Sequence, residues 1–215
     1  VALVGNPNSG KTALFNRLTG SRQKVANYAG VTVERKEGQF RIGERQVRIL
    51  DLPGAYSLDA TSPDEEITRE ICLGSAHYGF HPDVLVCVVD ATNLRLHLRF
   101  VLELKALGKP MLVALNMMDA ADKRGIEIDV GKLEQALGVP VLPTVAVSPH
   151  GADGLKQALA GDRPMPAANI DASTEDIHQQ VRRILSLAVS MPRATAEIDD
   201  RLDRAQIEAA LEDRQ

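Results

Sequence analysis

Residues 1–12 of this protein read Val-Ala-Leu-Val-Gly-Asn-Pro-Asn-Ser-Gly-Lys-Thr, and they decide its fold. The first four residues are aliphatic and predict a short buried strand. The next eight fit the pattern G-x-x-x-x-G-K-[ST], and apolar residues after them recur at helical spacing until Gly20. Because this motif joins a strand to a helix in phosphate-binding loops, the stretch predicts such a loop at the start of an α/β fold.

The residues of the motif have separate expected roles. Its glycines let backbone amides turn towards a phosphate, and the N-terminus of the helix adds positive potential. Lys11 is expected to reach the outer phosphates, and the Thr12 hydroxyl to bind Mg²⁺. An ordinary glycine-rich turn is the alternative. The other candidate contacts to the nucleotide are Gly5, Asn8, Ser9 and Gly10.

Strand and helix patterns alternate along the chain as far as residue 161. Continuous apolar runs, typical of strands covered on both faces, occur at 83–90, 110–116 and, more weakly, 139–145. Helical patterns lie after them, at 94–107, 130–137 and 155–159. We therefore expect residues 1–161 to form a doubly wound, mostly parallel α/β domain.

The segment after the first helix is expected to be irregular and then to form a hairpin. Residues 21–36 show no sustained period and predict a long mobile loop. Residues 39–42 and 46–51 predict paired strands around Gly43-Glu44.

The sequence changes character after residue 161. We expect a linker at 162–172 and a short all-helical domain at 173–215. Its first helix is expected to begin at Ser173-x-x-Asp176 and to end at Pro192. A second helix is marked by Ile198, Leu202, Ala205 and Ala209. Two short helices cannot bury both apolar stripes between themselves, so the tail is expected to pack on the first domain or on another copy of the chain.

Composition excludes several classes of protein. The chain has 215 residues, of which 44% are hydrophobic and 25% charged, as in an ordinary globular protein. The net charge is −4 and the negative excess lies after Pro164, so no positive field is available to hold a nucleic acid. The two cysteines imply no disulfide framework and indicate a reducing compartment. The apolar runs of the sequence are too short to span a bilayer. The first residue is Val1 rather than Met, and we therefore expect that the natural start of the chain is missing.

A second motif indicates which nucleotide is bound. Asn116 and Asp119 have the spacing Asn-x-x-Asp directly after a buried strand. Guanine presents two adjacent N–H donors that one carboxylate can accept together, whereas adenine presents an acceptor there. Asp119 therefore favours guanine. The alternative is that the two side chains only form a strand-to-helix turn.

Three further residues are candidates for the phosphate end of the site. Asp51, at the end of the predicted hairpin, can hold Mg²⁺ through a water molecule. The Gly54 amide can donate to a γ-phosphate, since no Cβ crowds it. Thr32 can supply a second hydroxyl to Mg²⁺ and a backbone group to the γ-phosphate region. Such segments are ordered only while that phosphate is present.

The order of these motifs resembles that of translation-factor-like GTPases, with a Ras-like fold. Three stretches narrow the likeness: residues 5–12, residues 27–34 (Asn-Tyr-Ala-Gly-Val-Thr-Val-Glu) and residues 50–58 (Leu-Asp-Leu-Pro-Gly-Ala-Tyr-Ser-Leu). Together they resemble the cytosolic GTPase domain of the bacterial ferrous iron transport protein B family. The likeness covers residues 1–159, and the tail resembles the family's helical domain.

The resemblance implies further roles. In potassium-dependent relatives the Asn at the position of Asn8 holds K⁺, together with carbonyls that correspond to those of Ala26 and Tyr28. Ala55 stands where Ras-like enzymes have a water-positioning Gln, so K⁺ is expected to assist hydrolysis. Met117 replaces the usual Lys beside the base, which its flexible side chain can still cover. Only the backbone amide of Ala146 is carried over from the last base-contact motif.

The leading interpretation is a Mg²⁺-dependent, K⁺-stimulated GTP switch of an iron transporter. Its membrane domain would be supplied by the rest of a longer chain, at the cytoplasmic face of the bacterial inner membrane. One alternative is a stand-alone ribosome-assembly or RNA-modification GTPase, which the acidic tail disfavours. Another is a nucleotide-binding module with little turnover. A metal site at Cys72, His77 and His81 is disfavoured because Gly79 and Pro82 break the helix that it needs.

Overall fold

A computed structural model describes residues 1–20, 23–28, 30–75, 77–161 and 176–190. Its strands are β1 (Ala2–Val4), β2 (Gln23–Asn27), β3 (Glu34–Ile42), β4 (Arg45–Asp51), β5 (Leu85–Asp90), β6 (Met111–Asn116), β7 (Glu127–Ile128), β8 (Val141–Pro143) and β9 (Val189–Ser190). One sheet has seven strands in the order β2-β3-β4-β1-β5-β6-β8, and β7 and β9 form a second, small sheet.

The helices are α1 (Lys11–Thr19), α2 (Pro63–Leu73), α3 (Leu94–Lys105), α4 (Met118–Lys123), α5 (Val130–Leu137), α6 (Asp153–Ala160) and α7 (Ile177–Ala188). Several have clear start and stop signals. The Ser62 hydroxyl accepts a hydrogen bond from the Glu65 amide at the start of α2, with Pro63 in the first turn, and Gly74 ends that helix in the left-handed conformation. Gly138 ends α5 in the same way.

The register of the sheet brings the functional segments to one edge. Strand β1 lies parallel to both β4 and β5, with Leu3 beside Asp51. Strand β6 lies parallel to β5, with Asn116 beside Asp90. Because parallel strands end at a common edge, the phosphate loop, Asp51 and Asn116 all leave the sheet on the same side.

The sheet is covered on both faces. On one face, Leu3 and Val86 pack with Leu14 and Phe15 of α1, and α6 joins this cluster through Leu155. Helices α2, α3, α5 and α7 contribute to the larger cluster on the other face. Both faces of β5 and β6 are therefore buried, which explains their continuous apolar sequences.

Helix α7 packs on the first domain. Val181, Ile184 and Ala188 are buried and belong to the same core cluster as residues of α3 and α5. The Asp129 amide donates to the Ala188 carbonyl at 2.8 Å, and β9 pairs with β7 in antiparallel register. Of the two expected arrangements, α7 therefore adopts the first. Every helix in the described ranges is too short or too polar to span a bilayer.

The doubly wound α/β fold and the hairpin turn are confirmed, with several corrections to the local structure. The expected mobile loop at 21–36 is wrong, because β2 and the start of β3 form an antiparallel pair there. All residues of β2 are exposed, so its sequence carries no apolar alternation. Helix α2 was not predicted, although Ser62, Pro63 and Gly74 mark its ends.

The tail differs from its prediction in two respects. Helix α7 ends at Ala188 rather than at Pro192, and strand β9 follows it, so this part of the tail is not all helical. The 162–172 linker, Ser173 and the second tail helix lie outside the described residues.

Candidate functional site

The loop between β1 and α1 has the backbone of a phosphate cradle. Asn8 has φ 64° and Gly10 has φ 82°, both in the left-handed region. No side chain makes a capping hydrogen bond to the backbone amides at the N-terminus of α1. A Cβ on Gly5 would meet the Val88 carbonyl oxygen, and one on Gly10 would meet the side-chain amide of Asn116. Both glycines are therefore required by close packing, and the helix end is available to an anion.

Lys11, Thr12 and Asp51 form a polar triad beside this loop, in which Lys11 and Asp51 are buried and Thr12 is exposed. Lys11 Nζ donates to Asp51 Oδ1 at 2.8 Å, and Thr12 Oγ1 donates to Asp51 Oδ2 at 2.8 Å. The Asp51 carboxylate is 4% exposed. A hydroxyl and a carboxylate are the hard oxygen donors that Mg²⁺ prefers, so this donor set fits the ion. A bound triphosphate would compete with Asp51 for the Lys11 ammonium.

Gly54 lies against the phosphate loop. A Cβ on Gly54 would be 3.0–3.2 Å from atoms of Pro7, and the Ala55 amide donates to the Gly5 carbonyl at 3.2 Å. The Thr68 hydroxyl of α2 donates to the Pro53 carbonyl at 2.9 Å. The segment that follows Asp51 therefore runs directly beside the cradle, where the Gly54 amide was expected.

A residue that the sequence analysis did not single out holds the continuation of this segment. Glu103 of α3 accepts hydrogen bonds from the Ser57 hydroxyl at 2.9 Å and the Leu58 amide at 2.8 Å. Its other oxygen accepts from Arg99 Nε at 3.0 Å. The sequence does not reveal the contacts of Glu103 with Ser57 and Leu58, since these partners lie 46 and 45 residues earlier in the chain.

Asn116 joins the phosphate loop to the loop after β8. Its Nδ2 donates to the Ser9 carbonyl at 3.0 Å, and its Oδ1 accepts from the Ala146 amide at 3.0 Å and the Thr144 hydroxyl at 3.4 Å. Both ends of this side chain are engaged with protein groups. In this structure Asn116 positions two loops, and the Ala146 amide, expected to face a base, points to Asn116 instead.

Asp119 carries a solvent-accessible carboxylate, which can accept hydrogen bonds from a ligand. It lies in the first turn of α4, and its carboxylate is 45% exposed and 4.0 Å from Lys123 Nζ. Met117 precedes it in the left-handed conformation with φ 62°. The terminal methyl of Met117 would be 3.4 Å from a Cβ on Gly10, so this side chain lies against the phosphate loop. This geometry is compatible with the expectation that Met117 and Asp119 lie beside the base of a bound nucleotide.

Three of the expected ligands, Ala26, Tyr28 and Thr32, lie in β2 or in the segment between β2 and β3. Ala26 is part of β2 and lies opposite Arg35. Tyr28 is 2% exposed in the core, its burial raises the pKa of its hydroxyl, and its carbonyl accepts from the Val31 amide at 3.3 Å. Thr32 is exposed, and its hydroxyl makes no hydrogen bond within the described residues. The backbone of Ala26 and of Tyr28 is thus engaged in the β2–β3 strand pair and the turn that follows β2.

The disfavoured metal site at Cys72, His77 and His81 is not assembled. Cys72 is buried in the core, and burial raises the pKa of its thiol to about 12, whereas both histidines are exposed. Among the described residues, no group of three or more His, Cys, Asp or Glu side chains could hold a metal ion.

This chain is similar in sequence and in fold to known proteins. The family model described as "Ferrous iron transport protein B" matches residues 1–159. The Fe(2+) transporter FeoB of Escherichia coli strain K12 is 48% identical over 173 residues, which are 80% of this chain and 22% of that protein. The chain thus spans about a fifth of the length of this curated relative.

Two solved structures share the fold. The cytosolic domain of L. pneumophila FeoB has a TM-score of 0.77 and 34% identity, covering 88% of this chain and 98% of that one. A point mutant of S. thermophilus NFeoB bound to GDP has a TM-score of 0.72 and 31% identity, with the same two coverages. The likeness therefore includes the P-loop GTPase fold as well as the sequence motifs.

Proposed function

Because the chain belongs to the ferrous iron transport protein B family, we propose that it binds GTP and hydrolyses it to GDP and phosphate. The observation that carries the proposal is the shared placement of two groups at one edge of the sheet. Lys11 begins the helix after the phosphate loop, and the half-exposed Asp119 carboxylate begins α4. Asn116, at the end of the strand that precedes Asp119, donates a hydrogen bond to the Ser9 carbonyl of the phosphate loop. In this proposal Lys11 would bind the phosphates and Asp119 would accept the guanine N–H groups of the same nucleotide.

The phosphate end supports a Mg²⁺-dependent reaction. Thr12 and Asp51 offer oxygen donors already within 2.8 Å of each other, and Mg²⁺ bound there would neutralise charge on the phosphates. Lys11 would exchange its bond to Asp51 for one to the outer phosphates. The Gly54 amide would donate to the γ-phosphate, and the exposed Thr32 would supply a second hydroxyl to Mg²⁺.

Ala55 cannot orient an attacking water molecule as a Gln would. We propose that K⁺ held by Asn8 stabilises the developing charge, with the carbonyls of Ala26 and Tyr28 as its other ligands. In this structure Ala26 belongs to β2 and the Tyr28 carbonyl accepts from the Val31 amide, so K⁺ stimulation would require both carbonyls to turn towards the ion when the triphosphate binds.

The chain is proposed to be the regulatory part of a longer ferrous iron transporter. The matched residues are only 22% of the Escherichia coli relative of that name, which leaves room for a membrane domain that follows this chain. Residues 1–161 would form the GTPase domain, joined by a linker at 162–172 to the tail at 173–215, at the cytoplasmic face of the inner membrane. The remaining apolar stripe of the tail would contact another copy of the chain. A stand-alone RNA-linked GTPase is disfavoured by the acidic tail.

Competition binding tests the proposal. A fluorescent GTP analogue should be displaced from the wild-type protein by GTP and not by ATP at the same concentration, because adenine leaves Asp119 without a donor. Asp119→Ala should weaken GTP binding roughly 10- to 100-fold, since it removes a charge-assisted pair of hydrogen bonds. Asp122→Ala, an exposed position of the same helix, is the matched control and should bind normally. Equal displacement by ATP and GTP would refute the guanine assignment.

Phosphate release tests the hydrolytic part separately. Replacing K⁺ by Na⁺ should slow turnover markedly in the wild type, and Asn8→Ala should abolish the difference. Equal rates in the two salts would remove K⁺ from the mechanism, and no turnover in either would favour a binding module.

A further inference from the structure

Arg17 of α1 makes two contacts that the nucleotide-binding motifs do not account for. Its Nε donates to the Ala146 carbonyl at 3.1 Å, and one of its terminal nitrogens donates to the Val147 carbonyl at 2.9 Å. A planar guanidinium can hold two consecutive carbonyls at once because its donors form a rigid fork. The side chain therefore fixes two adjacent peptide groups, 129 and 130 residues away in sequence.

The loop that contacts Arg17 is packed on one side only. Ala146 is buried in the cluster formed by α1 and α6, whereas Val147 is 74% exposed, so no apolar burial holds Val147 in place. The loop is otherwise tied at its base, where the Val145 amide donates to the Gly151 carbonyl at 2.9 Å. The Ala146 amide, one peptide away from the carbonyls that Arg17 holds, donates to Asn116. Arg17 and Asn116 thus fix opposite sides of Ala146.

Arg17 also lies on the helix that starts at the phosphate loop. Lys11 is at the N-terminal end of α1 and Arg17 is in its last turn. One rigid helix therefore connects the group expected to bind the phosphates with the loop expected to lie beside the base.

We infer that Arg17 is a positioning residue that holds the loop of residues 145–147 in the conformation needed to retain guanine nucleotide. This inference rests on the proposed function, because it concerns the base side of the same site. Arg17 does not touch the reacting atoms. Without it, the loop would move away from the base more often, and the nucleotide would dissociate faster while the phosphate loop stayed intact.

Release of a fluorescent GDP analogue is the direct test. Arg17→Ala should raise the dissociation rate about tenfold, the effect of losing hydrogen bonds from a charged donor. Arg17→Lys, which offers a single charged centre instead of a fork, should restore part of the retention. Arg41→Ala, which removes an exposed arginine of β3, is the matched control and should release GDP at the wild-type rate.

A second readout separates positioning from general damage to the fold. Binding of inorganic triphosphate, which has no base, should be unchanged in Arg17→Ala. If that variant does not fold, Arg17→Gln, which keeps a neutral donor, is measured instead, and it should also release GDP faster than wild type. Wild-type release rates in the variants, or an equal loss of GDP and triphosphate binding, would overturn the inference. A wild-type protein that binds triphosphate but no GDP would overturn the proposed function and the inference with it.

Discussion

At the scale of single residues, the Lys11–Asp51 pair is central to the site. Both groups are buried, and the Thr12 hydroxyl shares the same carboxylate. Burying charged groups is costly unless they are paired and hydrogen-bonded, so the pair satisfies each side chain in the absence of nucleotide. The same bond is replaceable, since a phosphate and a divalent cation offer each side chain a new partner of the correct charge.

His97 of α3 predicts how stability depends on pH. Burial lowers its pKa to about 4, opposed by the charge of Asp90, and its Nδ1 has no hydrogen-bond partner within the described residues. In the unfolded chain His97 takes up a proton near pH 6.5, whereas in the folded protein it takes up a proton only near pH 4. The contribution of neutral His97 to the free energy of unfolding is therefore fully present above pH 6.5 and is lost as the pH falls towards 4.

Denaturant unfolding at a series of pH values checks this expectation. His97 should account for a loss of roughly 3 kcal/mol in the free energy of unfolding between pH 6.5 and 4. His97→Leu should lose correspondingly less over the same range, whereas His81→Leu, at an exposed position, should follow the wild type. Parallel pH profiles for wild type and His97→Leu would show that His97 does not cause the acid sensitivity.

At the scale of elements, α1 and β3 approach closely at Gly38. A Cβ added there would be 2.5 Å from Thr19 Cγ2 and 3.1 Å from Phe15 Cζ. Gly38→Ala should therefore destabilise the protein by about 1–3 kcal/mol, because α1 or β3 must shift. Gly154→Ala is the control, since a Cβ there meets nothing within 4 Å and the residue is in α6. It should be neutral or stabilise by up to about 1 kcal/mol. Equal unfolding midpoints for the two variants would contradict the close packing of α1 on β3.

The elements differ in how well sequence alone predicts them. Strands β5 and β6 are buried on both faces, so their apolar runs were sufficient. Strand β2 is exposed at the edge of the sheet, and only its pairing with β3 makes it a strand. Helix α2 carries recognisable end signals that the sequence analysis did not use.

The residues of the candidate site also differ in how well the sequence alone predicts them. The motifs predicted Lys11, Asp51 and Asp119, and the parallel strands that precede these residues end at one edge of the sheet. Arg17 and Glu103 could not be predicted in this way. Most of their partners are backbone groups far along the chain, which every sequence supplies equally.

At the scale of the whole molecule, α7 is part of the core rather than a separate appendage. Ile184 is 1% exposed, whereas Leu187 on the same helix is 51% exposed. Ile184→Ala should cost about 2–5 kcal/mol of unfolding free energy, and Leu187→Ala should change it by less than about 0.5 kcal/mol. Thermal unfolding followed by circular dichroism measures both. If Ile184→Ala melted like the wild type, α7 would not contribute to the stability of the GTPase domain.

The account as a whole depends on one nucleotide spanning from Lys11 to Asp119. A crystal structure with Mg²⁺ and a non-hydrolysable GTP analogue tests this most directly. We predict that Lys11 Nζ leaves Asp51 for the outer phosphates. We also predict that the Asp119 carboxylate accepts hydrogen bonds from N1 and N2 of guanine, each with an N···O distance of about 3 Å. An unchanged Lys11–Asp51 pair, with the analogue absent or bound elsewhere on the protein, would contradict the account.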